Sequence, residues 1–147
     1  MEIISVLALD VGTKRIGVAG CDGLGLIATG LTTIQRTSWT RDVEQLRQLV
    51  EERQVQRLII GLPYTMAGEI GSQARQVQNF AQKLSAALQL PFEYADERLT
   101  SVEAEEQMKA HNLSPSRQKS TVDRIAAAMI LQQWLDERRE KQRADQR

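Results

Sequence analysis

The sequence predicts an α/β fold in which a mixed five-stranded sheet carries helices on its faces. Three apolar, strand-like runs follow one another near the start of the chain with only short turns between them, which is typical of antiparallel strands. Helical and strand-like segments then alternate, which is typical of crossovers between parallel strands. We therefore expect strands 1–3 to be antiparallel and strands 1, 4 and 5 to be parallel neighbours.

The first half of the chain contains three predicted strands, a helix and a fourth strand. The strands are expected at residues 3–9, 16–20 and 24–34, and the turn between the second and third contains Asp22 and Gly23. A helix is expected at 39–53 because Val43, Leu46, Leu49 and Val50 recur on one face, and Ser38 or Thr40 would cap its start. The apolar run at 57–61 is the fourth strand.

The second half is predicted to contain a loop at 61–72, a helix ending at Leu88 and a fifth strand at 90–95. A capping-box pattern at 100–103 predicts a third helix that reaches Met108. A polar loop at 112–120 then precedes a last helix at 121–138. We expect residues 1–138 to form one domain, and residues 139–147, which are polar except for Ala144, to be frayed or disordered.

Composition limits the class of protein. The 147 residues contain 19 basic and 19 acidic side chains, which argues against a passive nucleic-acid coat protein but allows an enzyme that contacts a few phosphates. Cys21 is the single cysteine, so an internal disulfide and a cysteine-based zinc site are excluded. No apolar stretch has membrane-spanning length and the N-terminus lacks signal-peptide features, so we expect a cytoplasmic protein that does not bind membranes.

The first strand ends in a carboxylate that is followed closely by a glycine turn. Asp10 follows the apolar run, Gly12 lies two residues later, and Lys14 and Arg15 add donors before the next strand. Gly12 would adopt a positive φ or allow a phosphate to approach the backbone. The segment is therefore either a hairpin with a polar turn or a metal-holding Asp beside a phosphate-binding turn.

Two further acidic motifs follow later in the chain. Asp96 and Glu97 come after the fifth strand, where alternation would point at most one of them into a site; the alternative is a solvated loop. Asp123 lies near the start of the last helix on the same face as Ala127 and Ile130, and it either complements the helix dipole or has a partner in the interior.

One hypothesis explains all three motifs. Asp10, one of the two acids Asp96 and Glu97, and Asp123 would converge at one sheet edge and bind two Mg²⁺ or Mn²⁺ ions, which prefer oxygen ligands. Two such ions can activate water and stabilise the leaving oxygen during phosphodiester hydrolysis. This chemistry needs no histidine, in keeping with a chain whose single histidine, His111, is expected to be a capping or solvated residue.

The motifs together resemble the YqgF/RuvX-type family of pre-16S rRNA nucleases, also described as Holliday-junction-resolvase-like. The resemblance rests on LALDVGTKRIGVA at 7–19, IIGLP at 59–63, the helix entry at 68–80, DERLTSVEAE at 96–105 and VDRIAAAMIL at 122–131. It implies an RNase H-like fold, a metal-dependent nuclease that processes the 5′ end of 16S rRNA, and catalytic, metal-holding roles for Asp10, Glu97 and Asp123. The chain departs from the family pattern at Thr65-Met66-Ala67 in the loop after Pro63, which affects the expected loop contacts with substrate.

Structured RNA is the expected partner, and branched DNA is the alternative. The other functions considered are a Holliday-junction-type DNA resolvase, a non-catalytic RNA- or ribosome-binding protein of the same fold, and a phosphotransferase, which would need a second domain of this type. A stable monomer would favour RNA processing, because junction resolvases need paired active sites. The residues expected to contact substrate are Gly12, Lys14, Arg15, Arg98, Arg117 and Lys119.

Overall fold

The computed structural model describes residues 3–63, 70–96, 106, 110 and 119–145. The strands of the described part are β1 Val6–Val11, β2 Arg15–Cys21, β3 Ala28–Gln35, β4 Arg57–Leu62 and β5 Phe92–Asp96. Its long helices are α1 Trp39–Arg53, α2 Ser72–Leu88 and α3 Lys119–Asp145.

The strands form one five-stranded sheet in the order β3-β2-β1-β4-β5. β2 pairs antiparallel with both β1 and β3, whereas β4 pairs parallel with both β1 and β5. The predicted fold class is therefore confirmed, including the direction of every strand pair. The carboxyl ends of β1, β4 and β5 meet at one edge of the sheet, where open α/β sheets usually bind ligands.

Alternation along the strands divides the core between the two faces of the sheet. Leu7, Leu9 and Val11 of β1 belong to a cluster with the apolar stripes of α1 and α2. Val6 and Ala8 belong to a second cluster, which contains the buried residues of α3. Full burial of a leucine side chain stabilises the fold by about 1.5–3 kcal/mol. Because both faces of β1 carry apolar side chains, both faces are covered, one by α1 and α2 and the other by α3.

The first helix has the predicted bounds, and Ser38 is its cap. The Ser38 hydroxyl accepts a hydrogen bond from the Arg41 amide at 3.3 Å. In contrast, β3 begins at Ala28 rather than at residue 24. The Asp22 carboxylate accepts hydrogen bonds from the amides of Leu24, Leu26 and Ile27, and these amides are thereby held in a turn.

The last helix is longer at both ends than predicted. It begins at Lys119, so residues 119 and 120 are helical and not part of a loop. It also continues to Asp145, so the predicted end at Arg138 and the predicted fraying are wrong for residues 139–145. These residues are mostly strong helix formers, and Arg139 forms an ion pair with Asp136 one turn earlier.

Several predictions fall outside the described residues. They concern the loop residues at 64–69, the capping box at 100–103, His111 and the loop at 112–118. Within the described ranges, no helix combines the length and apolar character that crossing a membrane requires. That residues 1–138 form a single domain stays a prediction.

Candidate active site

Asp10 lies at the carboxyl end of β1 on the sheet face that α3 covers. It lies on the same face of the strand as Val6 and Ala8, which pack against the buried residues of this helix. The side chain is partly exposed, whereas its neighbours in the strand are buried. The strand therefore presents one carboxylate at the end of an otherwise apolar row.

Asp123 reaches the same place because α3 approaches β2 very closely. Gly17 is the register partner of Asp10 in the antiparallel β1–β2 pair. A Cβ atom on Gly17 would lie 2.1 Å from the backbone oxygen of Asp123 and 3.0 Å from its Cβ atom. Only glycine fits at this point, so the absence of a side chain in β2 allows the first turns of α3 to rest on the sheet.

The register gives an upper limit for the separation of the two acids. Side chains directly opposite each other in an antiparallel pair have Cβ atoms about 4.5–5.5 Å apart. The Cβ atom of Asp123 is 3.0 Å from the position that a Gly17 Cβ would occupy. The Cβ atoms of Asp10 and Asp123 are therefore at most about 8.5 Å apart, which is close enough for two carboxylates to share a centre of one or two ions.

Arg15 holds the carboxylate of Asp123. Its Nε donates to Asp123 Oδ2 at 2.6 Å, and the side chains are 26% and 19% exposed. Arg15 shares a face of β2 with Gly17, two residues later, so the same strand supplies the close contact and the cation. A partly exposed pair of this kind adds little stability, but it fixes the orientation of the carboxylate.

Strand β3 also positions the start of α3, by contacts that the sequence reading did not include. The Thr33 hydroxyl donates to the Ser120 carbonyl at 2.6 Å. A Cβ on Gly30 would lie 3.0 Å from the Cβ of Arg124. A glycine inside a strand pattern is a known signal of close backbone approach, so Gly17 and Gly30 could have been recognised, whereas Thr33 carries no such signal.

The turn after Asp10 is held by its backbone and by Arg36. The Gly12 amide donates to the Arg15 carbonyl at 2.8 Å, and Arg36 Nη1 donates to the Gly12 carbonyl at 2.6 Å. Gly12 does not have a positive φ, so that part of the expectation is wrong. A Cβ at this position would lie 3.0 Å from the Arg15 carbonyl oxygen, so the tightness of the turn favours glycine.

The remaining site predictions concern the edge near β5 and the chain before Asp123. Asp96 ends β5 and is the register partner of Leu62, so the strand that precedes Glu97 ends at the same edge as Asp10. Glu97, Arg98 and Arg117 lie outside the described residues. Lys14 in the turn and Lys119 in the first turn of α3 are exposed at this end of the molecule.

The chemistry of the acids suits a hard divalent cation. Carboxylate oxygens are the ligands that Mg²⁺ and Mn²⁺ prefer, and Mg²⁺ usually takes one or two carboxylates together with waters and substrate phosphates. The part of the chain that the structure describes contains two of the three predicted acids and no cluster of three metal-binding side chains. The two acids present therefore fit such an ion as part of a donor set.

Comparison with known proteins identifies relatives over nearly the whole chain. A family model described as RuvX, Holliday junction resolvase, matches residues 4–137. A protein of Gloeothece citriformis named as a candidate pre-16S rRNA nuclease is 66% identical over 138 residues, which cover 94% of this chain and 91% of that protein. A protein of the same name from Thermosynechococcus vestitus is 61% identical over 142 residues, covering 97% of this chain and 94% of that protein.

The fold is also shared with solved structures. RuvC of Thermus thermophilus in complex with a Holliday junction substrate matches with a TM-score of 0.56 and 12% sequence identity, covering 92% of this chain and 95% of that chain. A second structure of the same protein matches with a TM-score of 0.54. At this identity the match shows the fold alone, and it confirms the RNase H-like architecture that the motifs implied.

Proposed function

The chain belongs to the RuvX family, and from this membership we propose that it is a metal-dependent nuclease that hydrolyses phosphodiester bonds at the 5′ end of precursor 16S rRNA. The observation that carries the proposal is the approach of Asp123 to Asp10 across Gly17 at the ligand-binding edge of the sheet. Because β2 carries glycine at this position, α3 can bring Asp123 to the end of β1 at which Asp10 lies. We place the activity in the cytoplasm, as expected from the sequence.

The residues of the site have different roles in hydrolysis. In the reaction the oxygen of a water forms a bond to phosphorus and the bond from phosphorus to the leaving oxygen breaks. The water gives up one proton to the solvent, and the leaving oxygen takes up one proton from the solvent. Asp10 and Asp123 accept hydrogen bonds from the attacking water and orient it. Arg15 lies beside Asp123 and can donate a hydrogen bond to a phosphate oxygen of a substrate bound at the acids. Its positive charge would stabilise the negative charge that develops on the phosphate.

A divalent metal ion would be held by Asp10, Asp123 and Glu97. When bound, such an ion supplies a more acidic water and stabilises charge on the phosphate and the leaving oxygen. We assign Glu97 rather than Asp96 as the third acid because the DERLTSVEAE motif at 96–105 resembles that of the family and implies this role for Glu97. Gly12, Lys14, Arg98, Arg117 and Lys119 are proposed to contact the phosphates of the substrate.

RNA is favoured over a DNA junction as the substrate. The relatives that share about two thirds of their residues with this chain are named for pre-16S rRNA, whereas the RuvC structures share only the fold. Cleavage of a four-way junction would require two paired sites, and hydrolysis of one RNA strand requires a single site.

A cleavage assay with two substrates tests the function. The protein is incubated with an RNA that contains the 5′ leader and start of 16S rRNA, and separately with a four-way DNA junction, in Mg²⁺, in Mn²⁺ and in EDTA. We expect cleavage of the RNA near the mature 5′ end that depends on the metal. Asp10→Asn and Asp123→Asn should lower it by more than the roughly 10–100-fold that is typical for the loss of an outer partner of a metal ligand.

Three outcomes would contradict the proposal. Cleavage in EDTA would exclude the metal, and undiminished cleavage by Asp10→Asn would remove this acid from the site. Cleavage of the DNA junction without cleavage of the RNA would identify branched DNA, and not RNA, as the substrate. Asp136→Asn serves as the control, because it removes an exposed carboxylate from α3 far along the helix from Asp123.

A further inference from the structure

A small cavity lies beside the turn at Gly12, across the end of β1 from the two acids. Its volume is about 110 Å³, and it is lined by Val11, Thr13, Arg36, Gln73, Gln76 and Phe80, among others. Val11 and Phe80 belong to the core cluster on the face of α1 and α2, whereas Asp10 belongs to the other face. The cavity, called here the Arg36 cavity, therefore opens at the same sheet edge as the candidate active site but on its opposite side.

Arg36 gives this cavity a flat and rigid surface. Its Nη1 donates to the Gly12 carbonyl at 2.6 Å, and its Nε is 3.9 Å from the buried carboxylate of Asp42. Its guanidinium carbon lies 4.9 Å from the centroid of the Phe80 ring. With these three contacts the guanidinium plane is fixed before any ligand arrives. Such planes are common stacking surfaces for unpaired bases.

The rim of the cavity is formed by amides. Gln73 and Gln76 are exposed and lie three residues apart in α2, so they are neighbours on the helix surface. An amide side chain offers donors and an acceptor together, which is the pattern that pairs with the edge of a nucleobase. The described residues that line the cavity include one cation, Arg36, and no acid.

We propose that the Arg36 cavity binds one unstacked nucleobase of a single-stranded RNA segment, next to the phosphate that is cleaved. The proposal rests on the nuclease function proposed above and adds to it the form of the substrate. Two residues of extended chain span at most about 7 Å, so Gly12 and the adjoining cavity lie close to Asp10 along the sheet edge. A strand crossing the sheet edge would place a phosphate at Asp10 and Asp123 and the neighbouring base in the cavity.

Binding of mononucleotides tests the cavity without catalysis. The side-chain amide signals of glutamine are followed by NMR in EDTA while adenosine, guanosine, cytidine or uridine 5′-monophosphate is added, and ribose 5-phosphate serves as a ligand without a base. We expect the signals of Gln73 and Gln76 to shift with at least one nucleotide and not with the sugar phosphate. Equal shifts with ribose 5-phosphate, or no shifts with any nucleotide, would overturn the proposal.

A pair of matched variants tests the role of the amides. Gln76→Leu should weaken binding of that nucleotide by about fivefold or more, as expected for the loss of a paired amide. Gln82→Leu is the same change at an exposed position of α2 that does not line the cavity, and it should leave the affinity unchanged. Equal affinities of the two variants would overturn the proposal, and Gln73→Leu provides a second variant on the rim.

Substrates with one missing base separate this proposal from the function on which it rests. In a series of RNA substrates, one nucleotide at a time around the cleaved bond is replaced by an abasic ribose. We expect slower cleavage from one position next to the cleaved bond and little change from the others. Normal cleavage of every abasic substrate would overturn the cavity proposal and leave the nuclease intact. If the wild-type protein cleaves no RNA, the proposed function fails, and the NMR titration still decides whether the cavity binds a base.

Discussion

At the scale of single residues, the contact between Arg15 and Asp123 affects how strongly the candidate site binds a metal ion and a phosphate. The guanidinium is bound to Oδ2 of Asp123, whose carboxylate would also hold a metal ion. A cation and a divalent ion repel each other at this distance. Arg15 therefore either turns to the phosphate of the substrate or shares the carboxylate when the ion arrives.

We predict that Arg15→Gln separates metal binding from RNA binding. An ion pair of this exposure is worth at most about 1 kcal/mol, so its removal should tighten Mn²⁺ binding roughly two- to fivefold in calorimetry. The same variant should bind RNA more weakly, with a salt dependence that is smaller by about one phosphate contact. Lys14→Gln removes a neighbouring exposed charge and should leave the Mn²⁺ affinity unchanged. Equal Mn²⁺ affinities of Arg15→Gln and the wild type would show that Arg15 and the metal ion do not compete for the Asp123 carboxylate.

Asp22 shows how one side chain sets the start of a strand. Its carboxylate accepts hydrogen bonds from the amides of Ile27, Leu26 and Leu24, and these bonds lower its pKa below the ordinary 3.8. The folded state therefore has the lower pKa, so this contribution to stability is present above pH 3.8 and is lost as the pH falls through the folded pKa.

We predict that Asp22→Ala lowers the Tm at pH 7 and that its difference from the wild type narrows as the pH falls below 3.8. Thermal melts from pH 7 down to pH 2.5 measure both effects, with Asp145→Ala at the end of α3 as a control that should show neither. A difference in Tm that is constant with pH would mean that the carboxylate charge has no part in holding the turn.

At the scale of elements, the seating of α3 on β2 brings the two acids together. The backbone of Asp123 occupies the space that a side chain at position 17 would need. Alanine there would push the start of α3 away from the sheet or distort β2. Overpacking of this kind typically costs about 1–3 kcal/mol.

We predict that Gly17→Ala loses about this much stability in urea unfolding and loses RNA cleavage as well, because the displaced helix carries Asp123. Gly23→Ala is a matched control, since the nearest atom that its new Cβ would meet among the described residues is in the Ile3 side chain, at an ordinary contact distance of 3.5 Å. It should retain activity and stability within a few tenths of a kcal/mol. Full activity of Gly17→Ala would show that the close approach is not required to position Asp123.

The elements also show which features the sequence could predict. The bounds of α1 followed from apolar periodicity and a capping serine, because both signals are local. The length of α3 did not follow, because an exposed helix of charged residues has no apolar stripe and resembles a disordered tail in composition. The start of β3 was predicted too early because the amides of Leu26 and Ile27 donate to the Asp22 carboxylate, and the sequence does not show these hydrogen bonds.

At the scale of the whole molecule, the sheet order and the edge that carries Asp10 could be predicted because alternating helices and strands allow few topologies. The partner of Asp123 could not, because Arg15 lies 108 positions away and meets it only after α3 has docked. Asp10 and Asp123 were recognised from their places at a strand end and on a helix face. That they serve as metal-holding catalytic acids is still a prediction, and the behaviour of the folded chain towards Mg²⁺ tests it.

We predict that Mg²⁺ stabilises the wild-type fold and stabilises Asp10→Asn much less. The unfolded chain does not hold the acids together, so an ion that binds the site favours the folded state by mass action. At a Mg²⁺ concentration of a hundred times Kd the gain is about 2.7 kcal/mol, or roughly 5–10 °C in Tm for a chain of this size. Asparagine keeps the shape of the side chain and removes one charge, so the gain of the variant should be less than half as large.

Thermal melts of three proteins, each in EDTA and in rising Mg²⁺, decide the matter. Asp136→Asn loses a carboxylate that pairs with Arg139 on the outer part of α3, so it should respond to Mg²⁺ like the wild type and correct for ions bound weakly to the surface. A structural Asp10 that only supports the turn would give the opposite pattern, with a lower Tm in EDTA, by analogy with a lost cap worth about 0.5–2 kcal/mol, and an unaltered response to Mg²⁺. That pattern would remove Asp10 from the metal site while leaving the fold as described.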